Sequence, residues 1–461
     1  MDVMGTLVKH ISSVTFEDLP PEAVMAAKKA IADTIGVIIA GSSVKGCQLL
    51  TEYIKEQGGN KESTVAVFGV KAPAYLAAQA NGSMGRALEI DDVYDVFPLH
   101  PDASVVPACL AIAERQGGIN GKELITAVAL GQDLMIRMAL ATKLSPIISG
   151  RDNLFRVFAI AGVAGKLLGL REEQLSDAMG IAYSQMVGDL QNLVDGAMAV
   201  YIQQGTVAKS GIESALMAQK GITGTRNVLQ GPSGFYNVIE PDPNIDNLTS
   251  ELGKVFKGGD LSIKLHTSCR CTHEAIDLAL EMVGRGGIDP KSIKAVTIRV
   301  NMQTFNLVCQ PLQRKYNPVT ESDAKFSLPF TVAAAMLKGK VFVDEVDDNA
   351  VKDPNILALA KKITPILDKK LESELIPSLG STIIELETED GNKVLKRIDY
   401  PKGNFMNPVG MNDVIGKFRK SVIYSAVPFS SDQVHEMIQI FQELEELKDV
   451  AELARLLVPN A

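Results

Sequence analysis

The sequence contains no tryptophan, and aromatic residues make up 5% of its 461 positions. A β-sandwich core draws heavily on aromatic and β-branched side chains. Alanine, leucine, isoleucine and methionine must instead fill this interior, which favours packed helices. Basic runs are also missing: Lys and Arg total 46 against 55 Asp and Glu, a formal charge of −9. Without Lys/Arg clusters interleaved with aromatics there is no footprint for a phosphate backbone, and nucleic acid is not expected as a partner. Apolar stretches such as Ile35 to Ala40 fall far short of the roughly 20 residues that a spanning helix needs, so no membrane insertion is expected. Met1 to His10 lacks a basic start followed by an apolar core, so no secretory signal is read there. The five cysteines (Cys47, Cys109, Cys269, Cys271, Cys309) are odd in number and irregular in spacing, which argues against a disulfide framework. A cytoplasmic protein is expected.

Hydrophobic residues reach 46% and charged residues 22%, enough apolar mass for a large core and too much for a disordered chain. The length predicts about two or three domains. From Pro20 to about Lys220 the texture is helical. After Pro20-Pro21, Val24, Ala27, Ile31, Ile35 and Ile38 recur at helical spacing until Gly41-Ser42-Ser43 stops the run. Ala103–Arg115, Gly121–Ala139 and Val157–Leu168 read the same way. The pairs Gly82/Gly85 and Gly162/Gly165 predict close helix packing. Around Leu261 the pattern changes. Ala295–Val300 reads as a strand, and Ser381–Thr388 with Lys393–Tyr400 as a hairpin about Glu389-Asp-Gly-Asn392. Pro329–Leu337 and Asn355–Leu367 read as helices between them. The C-terminus returns to helix, with a capping box at Ser430/Gln433 and a stripe of Val434, Met437, Phe441, Leu444 and Leu447. The expected architecture is mainly α: a helical domain in two segments, 1–262 and 403–461, around an α+β lid of 263–402.

Two stretches carry candidate chemistry. In Ala87-Leu-Glu-Ile-Asp-Asp92, Glu89 and Asp92 share a face if the stretch is helical, and crowded carboxylates can form an acid/base pair. His100, bracketed by Pro98 and Pro101, sits in a stiff loop suited to a general acid/base. From these residues alone the simpler reading is favoured: acids that cap or solvate a helix beside an ordinary loop histidine. The second stretch, Lys264-Leu-His-Thr-Ser-Cys-Arg-Cys-Thr-His273, leads into an apolar helix. Its His266, Cys269, Cys271 and His273 lie too close in sequence to wrap a structural zinc ion, and no metal is expected. Lys264, Arg270 and a histidine at a helix mouth could bind carboxylates, or form an ordinary basic loop. Neither a dinucleotide-binding glycine fingerprint, a P-loop nor a nucleophile elbow is present. Lys209 reads as a helix-surface lysine.

In this order, these pieces resemble the MmgE/PrpD family, which includes 2-methylcitrate dehydratases, cis-aconitate decarboxylases and iminodisuccinate epimerases. Ala30-Ile-Ala-Asp-Thr-Ile-Gly36 resembles its first helix. Glu89-Ile-Asp-Asp92, His100-Pro101 and Val106-Pro107-Ala108 look like its acidic motif and following loop. Gly205–Gly224, Lys264–His273, Asp323–Pro329, Gly403–Pro408 and Lys417-Phe418 complete the set. The resemblance implies a helical domain with an inserted α+β lid, a homodimer, no cofactor, and chemistry at carbon next to a carboxylate. Carried over, His100 would be the acid/base, with Asp92 and Lys264 also catalytic. Glu89, Asp91, Cys269, Arg270 and His273 would meet the substrate. Three departures stand out: Ser149-Gly-Arg-Asp152 where a second histidine is expected, an apolar stretch around Val200 in place of a lysine, and Phe330 in place of a tyrosine. Arg151 could stand in as a carboxylate clamp. The expected function is a cofactor-independent lyase, a dehydratase, acting on a small di- or tricarboxylate-like acid. An epimerase/isomerase or decarboxylase on a similar acid, and a non-catalytic ligand-binding member, are the alternatives.

Overall fold

The computed structural model describes residues 2–143, 146–240, 242–372 and 379–460. It is mainly α-helical, and the chain divides into two compact units. One comprises Met1–Ala87, Leu99–Leu261 and Gly410–Ala461; the other comprises Leu88–Pro98 and Ser262–Val409.

The first unit is built from helices whose starts and stops follow local chemistry. Helix α1 (Pro21–Gly41) begins with proline in its first turn, where the missing N–H costs nothing. It is followed by α2 (Ala74–Arg86), α3 (Asp102–Gln116), α4 (Gly121–Ala141), α5 (Arg156–Leu167) and α6 (Ala199–Gln219). The Asn120 side chain accepts from Glu123 N at 3.0 Å, and Glu123 returns the bond to Asn120 N at 2.9 Å, a capping box that fixes the start of α4. Close packing at glycine is seen where it was expected. A Cβ on Gly82 would lie 2.9 Å from the Ala103 carbonyl oxygen and 3.0 Å from the Gly205 Cα, so α2, α3 and α6 meet where side chains are missing.

Helix α4 corrects the expectation that every apolar stretch is too short to span a membrane. An 18-residue window of this 21-residue helix has a mean hydropathy of 1.5, sufficient by length and composition, although Gln132, Asp133 and Arg137 interrupt the run. In this unit 94% of that window is buried. Asp133 and Arg137 pair one turn apart at 2.7 Å, and Arg137 also donates to the carbonyls of Ser250 and Val255, so neither charge is stranded.

The second unit packs α7 (His273–Val283) and α8 (Leu328–Lys338) with a four-stranded sheet. Its strands are β1 (Ile293–Val300), β2 (Ile363–Leu367), β3 (Thr382–Thr388) and β4 (Lys393–Ile398), in the order β2-β1-β3-β4. The predicted hairpin is β3/β4, antiparallel in register Glu385↔Leu395. One buried face, Val296, Ile298, Val300, Ile384 and Leu386, joins Ile276, Ala279, Phe330 and Val332 in the core. The stretch Asn355–Leu367 is not one helix. A helix of Pro354–Ala360 ends there, and the β-branched run Ile363-Thr-Pro-Ile366 pairs in parallel with β1, Ile363 opposite Val296. Exposed β4 forms one edge and carries Lys393, Lys396 and Arg397, charges that discourage further strand pairing.

The chain then returns to the first unit with α9 (Met411–Val422) and α10 (Ser431–Gln442). Lys417 reaches Asp33 of α1 at 2.8 Å, both buried. Only half of the expected capping box forms. Ser430 Oγ accepts from Gln433 N at 3.2 Å, but the Gln433 amide donates to Val458 O instead. The predicted stripe also breaks, because α10 ends at Gln442 and Leu444 and Leu447 lie beyond it.

Candidate functional site

In the second unit the acidic segment is not helical. Helix α2 stops at Arg86, and Glu89 takes a left-handed backbone with φ 59, so Glu89 and Asp92 are not neighbours on a helix face. This conformation is costly for a residue with a Cβ and marks a place where the surroundings over-determine the chain. The turn brings both the carbonyl and the carboxylate of Glu89 to one cation. Lys264 Nζ lies 3.2 Å from Glu89 O, 3.1 Å from Glu89 Oε2 and 3.7 Å from Asp91 Oδ1. Lys264 is 1% exposed, and Glu89, Asp91 and Asp92 are buried as well. Burying these carboxylates is tolerable because an ammonium is buried with them.

Arg270, expected to meet a carboxylate of the substrate, pairs with a carboxylate of this unit. Its Nε and Nη2 each donate to Asp95 at 3.0 Å, and the same carboxylate accepts from Ser262 Oγ and from Asn404 Nδ2. Burial alone would lower the Arg270 pKa; the charge and hydrogen bonds of Asp95 hold it above its ordinary value. Sequence reasoning missed Asp95 and Asn404. The acidic run does continue to Asp95, but nothing local says that its partner is 175 residues away.

His273 opens α7, fully buried, with Nδ1 3.4 Å from Arg270 Nη1. Burial, then the charges of His266, Arg270 and Lys264, push its pKa well below the usual histidine range, so it is neutral at physiological pH. His266 Nε2 lies 2.8 Å from Asp277 Oδ1, and the two imidazole centroids are 5.0 Å apart. The buried Cys269 thiol is held below its ordinary pKa, chiefly by a hydrogen bond from Cys271 and further by Lys264, whereas Cys271 is pushed up. Among the described residues no group of three or more His, Cys, Asp or Glu side chains is arranged to hold a metal ion.

Next to His273, burial pushes the Glu274 carboxyl up to about 8, so it keeps its proton at neutral pH. An unfolded glutamate releases that proton near 4.5. The folded state is therefore favoured fully below the unfolded value, and this contribution is lost as pH rises toward the folded one. Glu274→Gln is expected to weaken the fall in stability between about pH 5 and pH 9, with little effect at the acid end. Denaturant midpoints of both proteins across that range would measure it; parallel curves would refute it.

The first unit holds His100 and Arg151. Half-buried His100 immediately precedes Pro101, the N-cap of α3, and its carbonyl accepts from Gln204 Nε2 at 2.8 Å. Arg151 is exposed, in a turn whose backbone N donates to Ser149 Oγ at 3.2 Å. It lines a cavity of about 280 Å³ with Asn153, Phe155, Phe235 and Glu240. The buried arginine nearby in sequence is Arg156, 2.8 Å from Asp152 and hydrogen-bonded to Gln204. Sequence reasoning passed over it, although Asp152 and Arg156 stand at the i,i+4 spacing of a helical ion pair. Phe330 lies fully buried in the first turn of α8, among apolar neighbours. Lys209 is a half-buried residue of α6 with Glu213 one turn on at 3.8 Å.

Known proteins resemble the chain over most of its length. The chain is 26% identical to the cis-aconitate decarboxylase of Homo sapiens, over 95% of this chain and 91% of that one. It is 25% identical to a cis-aconitate decarboxylase-like protein of Aspergillus oryzae, over 99% and 97%. It is 23% identical to the 2-methylcitrate dehydratase of Escherichia coli, over 72% and 69%. Residues 5–247 match the MmgE/PrpD N-terminal domain and residues 266–444 the MmgE/PrpD C-terminal domain, so that the acidic turn, His100 and the Lys264–His273 segment lie in or beside matched regions and the chain belongs to the MmgE/PrpD family.

Proposed function

We propose that this chain is a lyase acting on a small di- or tricarboxylic acid, and that its chemistry moves a proton at the carbon next to a carboxylate. The observation that carries this reading is the Lys264 ammonium, fully buried yet held by a strained acidic turn. A fold spends stability on such an arrangement where a charge is wanted in a dry place. Removing a proton next to a carboxylate spreads negative charge onto the carboxylate oxygens, and a desolvated cation stabilises that charge far better than water does. In this reading Lys264 supplies the cation. Glu89 and Asp91 hold it in place, and Asp92 is buried in the same acidic segment. His100 carries the proton. Cys269 and His273 belong to the same segment as Lys264 and meet the acid there, while Arg151 takes a second carboxylate from the loop beside its cavity.

Dehydration is the first form of the reaction: a base takes the carbon-bound proton and the neighbouring hydroxyl leaves as water after gaining one. Decarboxylation is the second, and the near full-length similarity to cis-aconitate decarboxylases favours it. There carbon dioxide departs, the carbanion left behind delocalises to the carbon next to a remaining carboxylate, and that carbanion takes up a proton, so cation and proton carrier are needed again.

The test is incubation of the full chain in D2O with a panel of hydroxy- and unsaturated polycarboxylates, including 2-methylcitrate and cis-aconitate, followed by NMR. Loss of water, or loss of carbon dioxide with one deuterium gained, distinguishes the two forms. Racemisation alone would replace both with an epimerase, and binding without turnover would overturn the enzymatic reading. His100→Ala is expected to lower turnover by about 100-fold or more, with little change in melting temperature because the side chain is only half-buried. An active His100→Ala enzyme would remove His100 from the mechanism.

A further inference from the structure

Gln204 makes two hydrogen bonds to the chain around His100 and a third to Arg156. It is 2% exposed and lies on α6 just before Gly205. Its Nε2 donates to the His100 carbonyl at 2.8 Å, and its Oε1 accepts from Arg156 Nη1. Its own backbone carbonyl accepts from Ser104 Oγ at 3.1 Å, in the first turn of α3. Gln204 thus grips the chain on both sides of Pro101.

The donor and acceptor types leave one arrangement. A guanidinium can only donate and a peptide carbonyl can only accept. The amide oxygen must therefore face Arg156 and the amide nitrogen must face His100. Arg156 is itself fixed: it is 1% exposed, its Nη2 lies 2.8 Å from Asp152 Oδ2, and its Nε donates to Asn153 O at 3.2 Å. The backbone under Gln204 is equally constrained, since a Cβ on Gly205 would run into the carbonyl oxygen of Gln79 on α2.

We propose that Gln204, oriented by the buried Arg156–Asp152 pair, is a positioning residue for His100. The proposal rests on the reading of His100 as the proton carrier. A histidine that moves a proton needs its ring held in one place, and a misplacement of about 1 Å can cost about 100-fold in rate. Gln204 supplies that restraint through the backbone carbonyl of His100.

Glutamate at this position separates positioning from packing. Gln204→Glu keeps the size and strengthens the pairing with Arg156, but turns a lone pair toward the His100 carbonyl in place of a donor. It is expected to fold with an unchanged or raised melting temperature. On the acid identified by the panel, kcat should fall about 10- to 100-fold with KM within about threefold. The limb of the pH–rate profile that reports His100 should move. Arg156→Lys, which keeps a donor facing Oε1, should retain more of kcat than Arg156→Met. A second readout does not depend on activity: with five histidines in the chain, the His100 ring resonance can be assigned by His100→Gln and followed by NMR. In Gln204→Glu this resonance should broaden and its titration midpoint should move. Wild-type kcat and pH profile in Gln204→Glu, alongside an inactive His100→Ala, would overturn the positioning role. If His100→Ala is active, the functional reading falls, and an unshifted ring resonance in Gln204→Glu would overturn the positioning claim separately.

Discussion

Replacing Lys264 by methionine is expected to abolish turnover and to destabilise the protein by about 3–5 kcal/mol. Methionine fills much of the volume of the lysine stem, so the effect comes from charge. Glu89 Oε2 and Asp91 Oδ1, 3.1 and 3.7 Å from the ammonium, would keep their burial and lose the cation. Breaking a buried pair from one side costs far more than never building it. The double variant Lys264→Met/Glu89→Gln removes one of the two stranded charges and is expected to recover part of the stability with no recovery of turnover. That contrast separates the structural from the chemical share of Lys264. Denaturant midpoints at constant slope, with NMR turnover on the same samples, measure both. A Lys264→Met protein that still turns over its acid would end the case for Lys264 as the catalytic cation.

Replacing Arg270 by leucine should have the largest purely structural effect. Asp95 is 1% exposed, and its carboxylate receives Arg270, Ser262 and Asn404 together. Without the guanidinium the carboxylate either stays charged and buried or takes up a proton, and the cost is again about 3–5 kcal/mol. Lysine at 270 retains the charge without the planar fork and should fall between the two. Because the chain divides into two units, the loss need not appear as one transition. Hydrogen exchange is the direct readout: amides of β1 and β3 should lose protection, while those of α4 in the first unit keep theirs. Equal loss in both units would show that Arg270 supports the whole chain.

Much of the helical architecture was legible because it is written in local chemistry. The proline in the first turn of α1 and the apolar repeat behind it need no partner to be read. The hairpin of β3 and β4 carries its turn residues between two alternating runs. What escaped reading depends on distant residues or on ambiguous apolar patterns. In Asn355–Leu367 the apolar positions suit a helix as well as a buried strand, and only pairing with Val296 and Ile298 selects strand after Lys362. At Glu89 a left-handed turn falls on a residue that seldom adopts one, with neither glycine nor asparagine to announce it. The two cations of the Lys264–His273 stretch looked available for a substrate, since their carboxylate partners, Glu89 and Asp95, both lie 175 residues earlier. Arg156 was hidden for the opposite reason: it opens a strongly apolar helix and reads as that helix's edge.

The ion pair of Asp33 and Lys417 sets a clock on synthesis. The acid is made early, in the middle of α1, and its lysine follows 384 residues later. At translation rates of about 5–20 residues per second, roughly 20 to 80 seconds separate the two. Throughout that interval the nascent α1 carries a carboxylate that its final surroundings bury beside an ammonium not yet made. The second unit's main segment, Ser262–Val409, is completed before the lysine emerges. A chain stopped before Gly410 therefore lacks Lys417, and pulse proteolysis of such arrested chains should find α1 more cleavable than in the full chain while α4, capped by its own Asn120 and Glu123, is already protected.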